Sequence, residues 1–334
     1  MFQVLVIGGG LSGCTVAREL AENGVNVTIV EKEGRIGGKV RSYGCKATDK
    51  CNNCGVCLSG GLWENVERNS NIEIISCASL ADVTGGRGDF SAAVKTPAGI
   101  RYINGISAIV VATGFEETPA SYGHLQIEGS RGIIRVLELE AIFKARSKDA
   151  LFERAPQNVA FIQCVGSRDK KDGAMYCSRV CCSYSTRAAK VIRQYYPDCA
   201  ITFFYMELQA VSNGDYFLDL SEHDIEFVKC RPLKISGGEP ATLEFEDPES
   251  GKMIRREFDA IVLSDGIHPP KDADLTAELC GLGQDKNGFF KGVGKSSDSG
   301  VFISGCAKWP GKIEETYSDS VAVAKEIIAE WRRI

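Results

Sequence analysis

Residues 3–31 read QVLVIGGGLSGCTVARELAENGVNVTIVE: an apolar strand, three glycines in G-x-G-x-x-G register, a helix, and a second apolar strand that ends in an acid. No other stretch restricts the fold as tightly. Gly8 permits the tight turn out of the strand, Gly10 lets backbone approach a pyrophosphate, and Gly13 lets helix and strand pack closely. Leu11 and Ser12, between the last two glycines, complete the candidate contacts of the turn. Glu31 ends the second strand at the offset of about 20 residues where an acid accepts hydrogen bonds from an adenosine ribose. A lone glycine turn would carry little weight, but here strand, helix and acid agree. They imply a parallel α/β sheet that binds a dinucleotide, without choosing between FAD and NAD.

The chain holds 14 cysteines against three histidines, so any metal chemistry must rest mostly on sulfur. Four of the cysteines fall in CVGSRDKKDGAMYCSRVCC: Cys164, Cys177, Cys181 and Cys182, spaced C-x12-C-x3-C-C. The apolar run 158–163 (NVAFIQ) reads as a buried strand, and about 176–196 reads as a helix with Ala188, Ala189, Val191 and Ile192 turned inward. Cys164 then leaves the strand end, while Cys177 and Cys181 share a helix face with Cys182 beside them, so four thiolates converge on one point. Such a set suits zinc or an iron–sulfur cluster, and ligand count does not separate them. The paired C-x2-C knuckles of zinc ribbons are missing, and a strand-to-helix turn favours an anionic [4Fe-4S] core. Plain buried thiols or a disulfide are the blander alternative, set against the strained ring that adjacent Cys181 and Cys182 would close.

A second thiol group, Cys45, Cys51, Cys54 and Cys57, has the spacing C-x5-C-x2-C-x2-C. Its last three cysteines copy half of a ferredoxin loop, and Cys45 could serve as fourth ligand of a second cluster. No C-x3-C-P follows, so a redox disulfide or free thiols fit the same residues. The loop is rich in Asn, Gly and Lys, with no rigid element to carry it.

At 334 residues the chain has length for about two domains. A net charge of −5 gives no basic footprint for nucleic acid. No apolar run reaches the roughly 18 residues of a membrane span. The N-terminus enters a strand with no charged leader, so a cytoplasmic protein is expected. Turn residues and alternation over Ser79–Tyr102 predict an antiparallel hairpin layer, and Gly129–Arg154 reads as a charged helical connector. A second α/β unit occupies about 156–255, and the apolar run 259–263 (DAIVL) is expected to lead back into the first. The expected division is therefore 1–128, 129–257 and 258–334.

Three further segments carry a resemblance to flavoproteins with two dinucleotide-binding domains, of the thioredoxin-reductase type. EGRIGGKV is similar to their FAD-contacting extension, which puts Arg35, Gly37 and Gly38 along the cofactor, with Lys32 just before the stretch a further candidate contact. AIVVATGF is similar to their returning ATG element, Ala112-Thr113-Gly114. GVFISGCAKWPGKI is similar to their closing strand and helix, with Gly305, Cys306 and Ile313 near the flavin. Cys306 stands where that family usually has an aspartate. The first strand of the second unit runs into cysteines and not into a glycine fingerprint, so hydride uptake from a pyridine nucleotide in the usual way is not expected.

FIQCVGSRD, YCSRVCC and SGCAKWPGKI together resemble the A component of heterodisulfide reductase (HdrA) and its relatives in sulfur metabolism. The resemblance implies FAD, a [4Fe-4S] cluster on Cys164, Cys177, Cys181 and Cys182, and an electron-transfer role among subunits resembling the B and C components of that enzyme. A homodimer or a larger hetero-oligomer follows from the same likeness. Without C-terminal ferredoxin repeats the chain is similar to the short forms of sulfur oxidisers or of the quinone-interacting complex of sulfate reducers. The alternatives are a stand-alone FAD-dependent disulfide oxidoreductase using the 45–57 thiols, and a zinc-stabilised scaffold that keeps FAD structurally.

Overall fold

The strands QVLVI, NVTIV and AIVV are almost continuously apolar, the mark of parallel strands covered on both faces. The computed structural model of the protein describes residues 2–117, 125–145, 152, 154–171, 174–209, 225–292 and 296–332. The chain divides into two units, 1–41 with 55–116 and 269–334, and 42–54 with 117–268. Among the described residues no helix is long and apolar enough to cross a membrane.

The first unit is built on a five-stranded parallel sheet in the order Val301–Ile303, Ala108–Val111, Gln3–Ile7, Asn26–Val30, Ile72–Ile75. Alternate side chains of its strands serve separate cores. Val4 and Val6 pack with Leu11, Val16 and Leu20 of the helix Leu11–Glu22 and with Ile327 and Ile328 of the C-terminal helix Ile313–Trp331. Leu5 and Ile7 face the other way, onto Phe90, Val94 and Ile103. These last belong to a three-stranded antiparallel meander, Ser79–Gly86, Asp89–Thr96 and Gly99–Ile106, which extends the expected hairpin layer by one strand.

The second unit repeats the plan. Its parallel sheet runs Ile133–Arg135, Ala260–Asp265, Asn158–Val165, Ala200–Phe204, Ile225–Val228. Val159 and Phe161 pack on the helices Val136–Ala145 and Cys181–Tyr195, with Phe161 stacked on Phe203 at 4.9 Å. Ala160 and Ile162 face a four-stranded sheet through Leu243, Phe245 and Phe258.

The division departs from the sequence reading in three places. The strand Ala260–Asp265, expected to lead back to the first unit, lies inside the second sheet between Ile133–Arg135 and Asn158–Val165, so the second unit runs to His268. Its apolar run records burial on both faces, which is equally true of strands in either sheet. The expected helical connector contains a strand, Ile133–Arg135, before its helix begins at Val136. The segment 42–54 joins the second unit although its neighbours in sequence belong to the first.

Asp265 closes the strand Ala260–Asp265 with a buried carboxyl whose Oδ2 accepts a hydrogen bond from Arg135 Nε at 3.1 Å. Burial pushes its pKa up to about 6 against the pull of the Arg135 guanidinium. The folded protein therefore holds this proton more tightly than the unfolded chain, whose carboxyl titrates near 4. The group contributes stability in full below about pH 4, and that contribution, at most about 3 kcal/mol, is lost as pH rises through about 6. Thermal midpoints across pH 4–7 should show that loss in the parent and not in Asp265→Asn; identical profiles would refute the assignment.

Candidate functional site

Gly8 takes φ +101°, and a Cβ there would lie 2.5 Å from the Ala112 carbonyl oxygen. At Gly13 a Cβ would stand 1.9 Å from the Gly8 carbonyl oxygen, so helix and turn touch through a hydrogen atom. Gly10 is the opposite case: its Cβ would meet nothing within 4 Å. The helix begins immediately after it, at Leu11, with no side-chain cap and no acid in its first turn. Its first N–H groups thus present positive charge into the space over Gly10, which suits a phosphate.

The other residues of this cradle are also in the first unit. Glu31 is buried and accepts from Gly9 N–H at 2.6 Å with one oxygen and from Glu33 N–H at 2.8 Å with the other. Each oxygen retains a lone pair for a further donor such as a ribose hydroxyl. Gly37 donates its N–H to the Gly9 carbonyl at 2.7 Å, and Ile36 packs into the core, which seats the extension on the glycine turn. Gly38 approaches the same turn, its Cβ position 3.0 Å from Gly10 Cα. Arg35 is exposed, and Lys32 pairs with Glu116 at 3.1 Å. Ala112 is buried, Gly114 takes φ +74°, and between them the Thr113 hydroxyl is buried with no hydrogen-bond partner. An orphaned hydroxyl beside an uncapped helix and a bare glycine fits a bound dinucleotide.

The closing turn follows the strand Val301–Ile303. Ser304, Ser12 and Ser320 form a ring of buried hydroxyls at 2.7, 2.8 and 3.1 Å, which ties this turn to the first helix. Gly305 takes φ +69°, and its Cβ would lie 2.8 Å from that of Ser12. Cys306 is buried with its thiol 3.6 Å from the Gly311 carbonyl and from Thr316 Oγ1, and burial raises its pKa. Ile313 begins the C-terminal helix and packs on the first core. Asp319, which the sequence reading passed over, reaches back from that helix to accept from Gly305 N–H at 2.8 Å. Its signal was the run of polar residues Thr316, Asp319 and Ser320 at three-to-four spacing on an otherwise apolar inner face.

In the second unit Cys164 sits near the carboxyl end of the sheet's middle strand, at φ +60°, where the register with Ala260–Asp265 slips. The segment beyond it doubles back: Arg168 N–H donates to the Tyr176 carbonyl at 3.0 Å and Asp169 N–H to Ala174 at 2.9 Å. Arg168 and Arg179 also take left-handed φ, at 56° and 63°. Three such non-glycine residues in one short segment mark a strained site. The helix starts at Cys181 and not near Tyr176, so Cys177 lies in the preceding loop and shares no helix face with Cys181. The cause is Ser178, whose N–H and hydroxyl both engage Ser167 Oγ at 3.0 Å and whose oxygen accepts from Ile267 N–H at 2.8 Å.

Cys164, Cys181 and Cys182 are buried and Cys177 is half-buried. The Cys181 thiol hydrogen-bonds Cys164, which lowers the Cys164 pKa to about 7 with help from Arg168 and Arg231 and against burial. The Cys181 pKa is raised by that bond, by burial, and by negative charge on Cys164, Cys182 and Cys177. That of Cys182 is pushed up to about 11, chiefly by burial. The Cys177 sulfur accepts from Arg179 N–H at 3.3 Å. The other three sulfurs thus all act on Cys181, but among the described residues no three Cys, His, Asp or Glu side chains are disposed to hold a single metal ion as they stand. Beside Cys164, both amide atoms of Gln163 are buried without a partner. Thiols gathered with N–H donors, arginines and an orphaned amide form a donor set that fits an anionic iron–sulfur group.

The other thiol loop is better anchored than its composition implies. Cys45, Cys51 and Cys54 fall in the second unit, Cys57 in the first. Lys46 is buried and donates to Glu140 at 2.6 Å, on the helix Val136–Ala145, while Gly44 N–H donates to the same carboxylate at 3.2 Å. Arg187, on the cysteine helix, donates to the carbonyls of Asn52 at 2.7 Å and Asn53 at 2.5 Å. Two buried cations therefore do what the sequence reading assigned to no element. They left no signal in sequence, because Lys46 and Glu140 are 94 positions apart.

Residues 6–57 match the model of a family described as an NAD(P)-binding Rossmann-like domain. An iron-sulfur A component of the CoB–CoM heterodisulfide reductase of Methanopyrus kandleri is 26% identical over 426 residues, covering 96% of this chain and 63% of that protein. Over nearly its whole length the chain is similar to HdrA, the A component of heterodisulfide reductase. Another HdrA, from the ferredoxin/F420H2-dependent enzyme of Methanosarcina acetivorans, is 25% identical, covering 97% of the chain and 52% of the relative. The chain thus spans about half to two thirds of the HdrA proteins it matches. Its fold is that of thioredoxin reductase: the T. acidophilum enzyme superposes over 98% of both chains with a TM-score of 0.68 at 16% identity.

Burial drives the Glu140 pKa up, and Lys46 is the principal counterweight. Replacing Lys46 by Met strands that carboxylate and should cost about 3 kcal/mol in denaturant unfolding, while adding Glu140→Leu should recover part of the loss. Arg187→Met should raise the rate at which Cys51 and Cys54 are alkylated, because the carbonyls beside them lose their donor. Unchanged stability and alkylation would remove the anchoring role.

Proposed function

We propose that this chain is an oxidoreductase component that holds FAD in its first unit and a [4Fe-4S] cluster on Cys164, Cys177, Cys181 and Cys182 in its second, within a heterodisulfide-reductase-like complex. The observation that carries the reading is the thiol group at the carboxyl end of the second parallel sheet, where a doubly wound fold binds its ligand. The bound groups supply the redox chemistry, two-electron for the flavin and one-electron for the cluster. What remains falls to the chain's own residues.

Gly10 keeps a side chain out of the pyrophosphate approach, Gly8 and Gly13 let the turn and the helix close up behind it, and the first N–H groups from Leu11 and Ser12 onward meet its charge. Glu31 takes the adenosine ribose and Thr113 offers its hydroxyl to the cofactor. The Cys177 and Cys182 sulfurs each receive a backbone N–H, from Arg179 and Gln209, and Arg168 and Arg231 favour the thiolate at Cys164. These contacts stabilise negative charge on sulfur and so raise the potential of a cluster held there. Subunits resembling the B and C components of heterodisulfide reductase are the partners this reading calls for.

Gly10→Val should abolish flavin retention, since its side chain would fill the space left open over the turn; a yellow, fully loaded variant would overturn the cradle assignment. Cys181→Ala should lose about four irons per chain, or keep a damaged three-iron cluster, while the FAD absorbance is unchanged. Full iron content in that variant, or stoichiometric zinc in the parent, would bring the zinc-scaffold reading forward.

A further inference from the structure

Asp319 reaches back from the C-terminal helix to the turn that precedes it. Oδ2 accepts from Gly305 N–H at 2.8 Å and from Ser304 Oγ at 3.4 Å, and Oδ1 accepts from Lys308 Nζ at 2.6 Å. Ser304 is fully buried in the hydroxyl ring with Ser12 and Ser320, and Ser12 stands in the first turn of the helix that opens the dinucleotide cradle. The carboxylate therefore controls a turn that is itself fastened to the cradle. The turn has no acid of its own: position 306 carries a buried thiol bonded to Gly311 and Thr316. Lys308 leans over the half-exposed Trp309 ring at 5.3 Å, and Asp319 is the anion that neutralises it.

We propose that Asp319 is a positioning residue for the flavin, reaching back from the C-terminal helix to fix the 304–308 turn and to balance the charge of Lys308. The inference rests on the reading of the first unit as an FAD site. Charge-assisted hydrogen bonds of this kind are worth enough that losing them should weaken cofactor binding about tenfold. A second consequence concerns charge alone. Removing the anion leaves Lys308 uncompensated and favours the more negative, reduced flavin, whereas removing the cation does the reverse.

The test uses the full chain, reconstituted with FAD, with retention followed by absorbance and the flavin midpoint potential by redox titration. Asp319→Ala should bind FAD about tenfold more weakly. Asp319→Asn keeps an acceptor for Gly305 N–H and should retain FAD nearly as the parent does, yet its midpoint should move positive. Lys308→Met should move the midpoint negative. Shifts of opposite sign from two halves of one ion pair distinguish this role from general damage to the fold. Shifts of the same sign, or none in either variant, would overturn the proposal even if Asp319→Ala fails to fold. A parent chain that takes up no FAD would bring down the FAD reading and this inference together, while a loaded parent with silent variants brings down the inference alone.

Discussion

Nothing larger than hydrogen fits at position 13. The carbonyl oxygen of Gly8 occupies the place of a Cβ, and that contact fixes how closely the first helix can lie on the first strand. The angle of the helix decides where its uncapped end points, and so where an anion can sit. Ser12, one position earlier, joins the hydroxyl ring that secures the closing turn, and Ile36 and Gly37 pack the extension from the other side. A single steric requirement in the first unit thus organises three separated stretches of sequence around one glycine turn.

The second unit has the same parallel sheet but solves its carboxyl end differently. In the first unit the strand end gives way to glycines, so that backbone is bare. In the second it gives way to a cysteine in left-handed conformation, followed by a segment that folds back through Arg168 and Asp169. Backbone strain at Cys164, Arg168 and Arg179 is tolerated because Ser167 and Ser178 satisfy the polar groups of the bend. The same architecture accordingly offers N–H groups to an anion in one unit and sulfur donors in the other.

The α/β class, both sheets and the glycine turn were legible because strand apolarity, helix period and glycine sterics are local properties. What sequence could not supply was partnership over distance. The strand Ala260–Asp265 reads as buried, and burial does not name the sheet. Tyr176 to Val180 has nothing in its composition against helix, yet Ser178 is claimed by Ser167 and Ile267 and the helix waits until Cys181. Asp319 carried a readable spacing on its helix, whereas Lys46, Glu140 and Arg187 show only as charges in a list of charges. Their roles arise from burial, which a sequence does not display.

The segment 42–54 has one more consequence, for the order in which the molecule is assembled. Lys46 leaves the ribosome long before Glu140, and Asn52 and Asn53 longer still before Arg187, 94 and about 135 residues respectively. During synthesis, then, this stretch cannot settle with the sequence around it and must stay open until the helix Cys181–Tyr195 has been made. Closing so long a loop costs only slightly more than closing a short one, so the delay is kinetic and not energetic. Thiols in a segment held open for that long remain accessible throughout the interval, which gives cofactor-loading machinery, or an oxidant, an opportunity at those cysteines before the helix that anchors them exists.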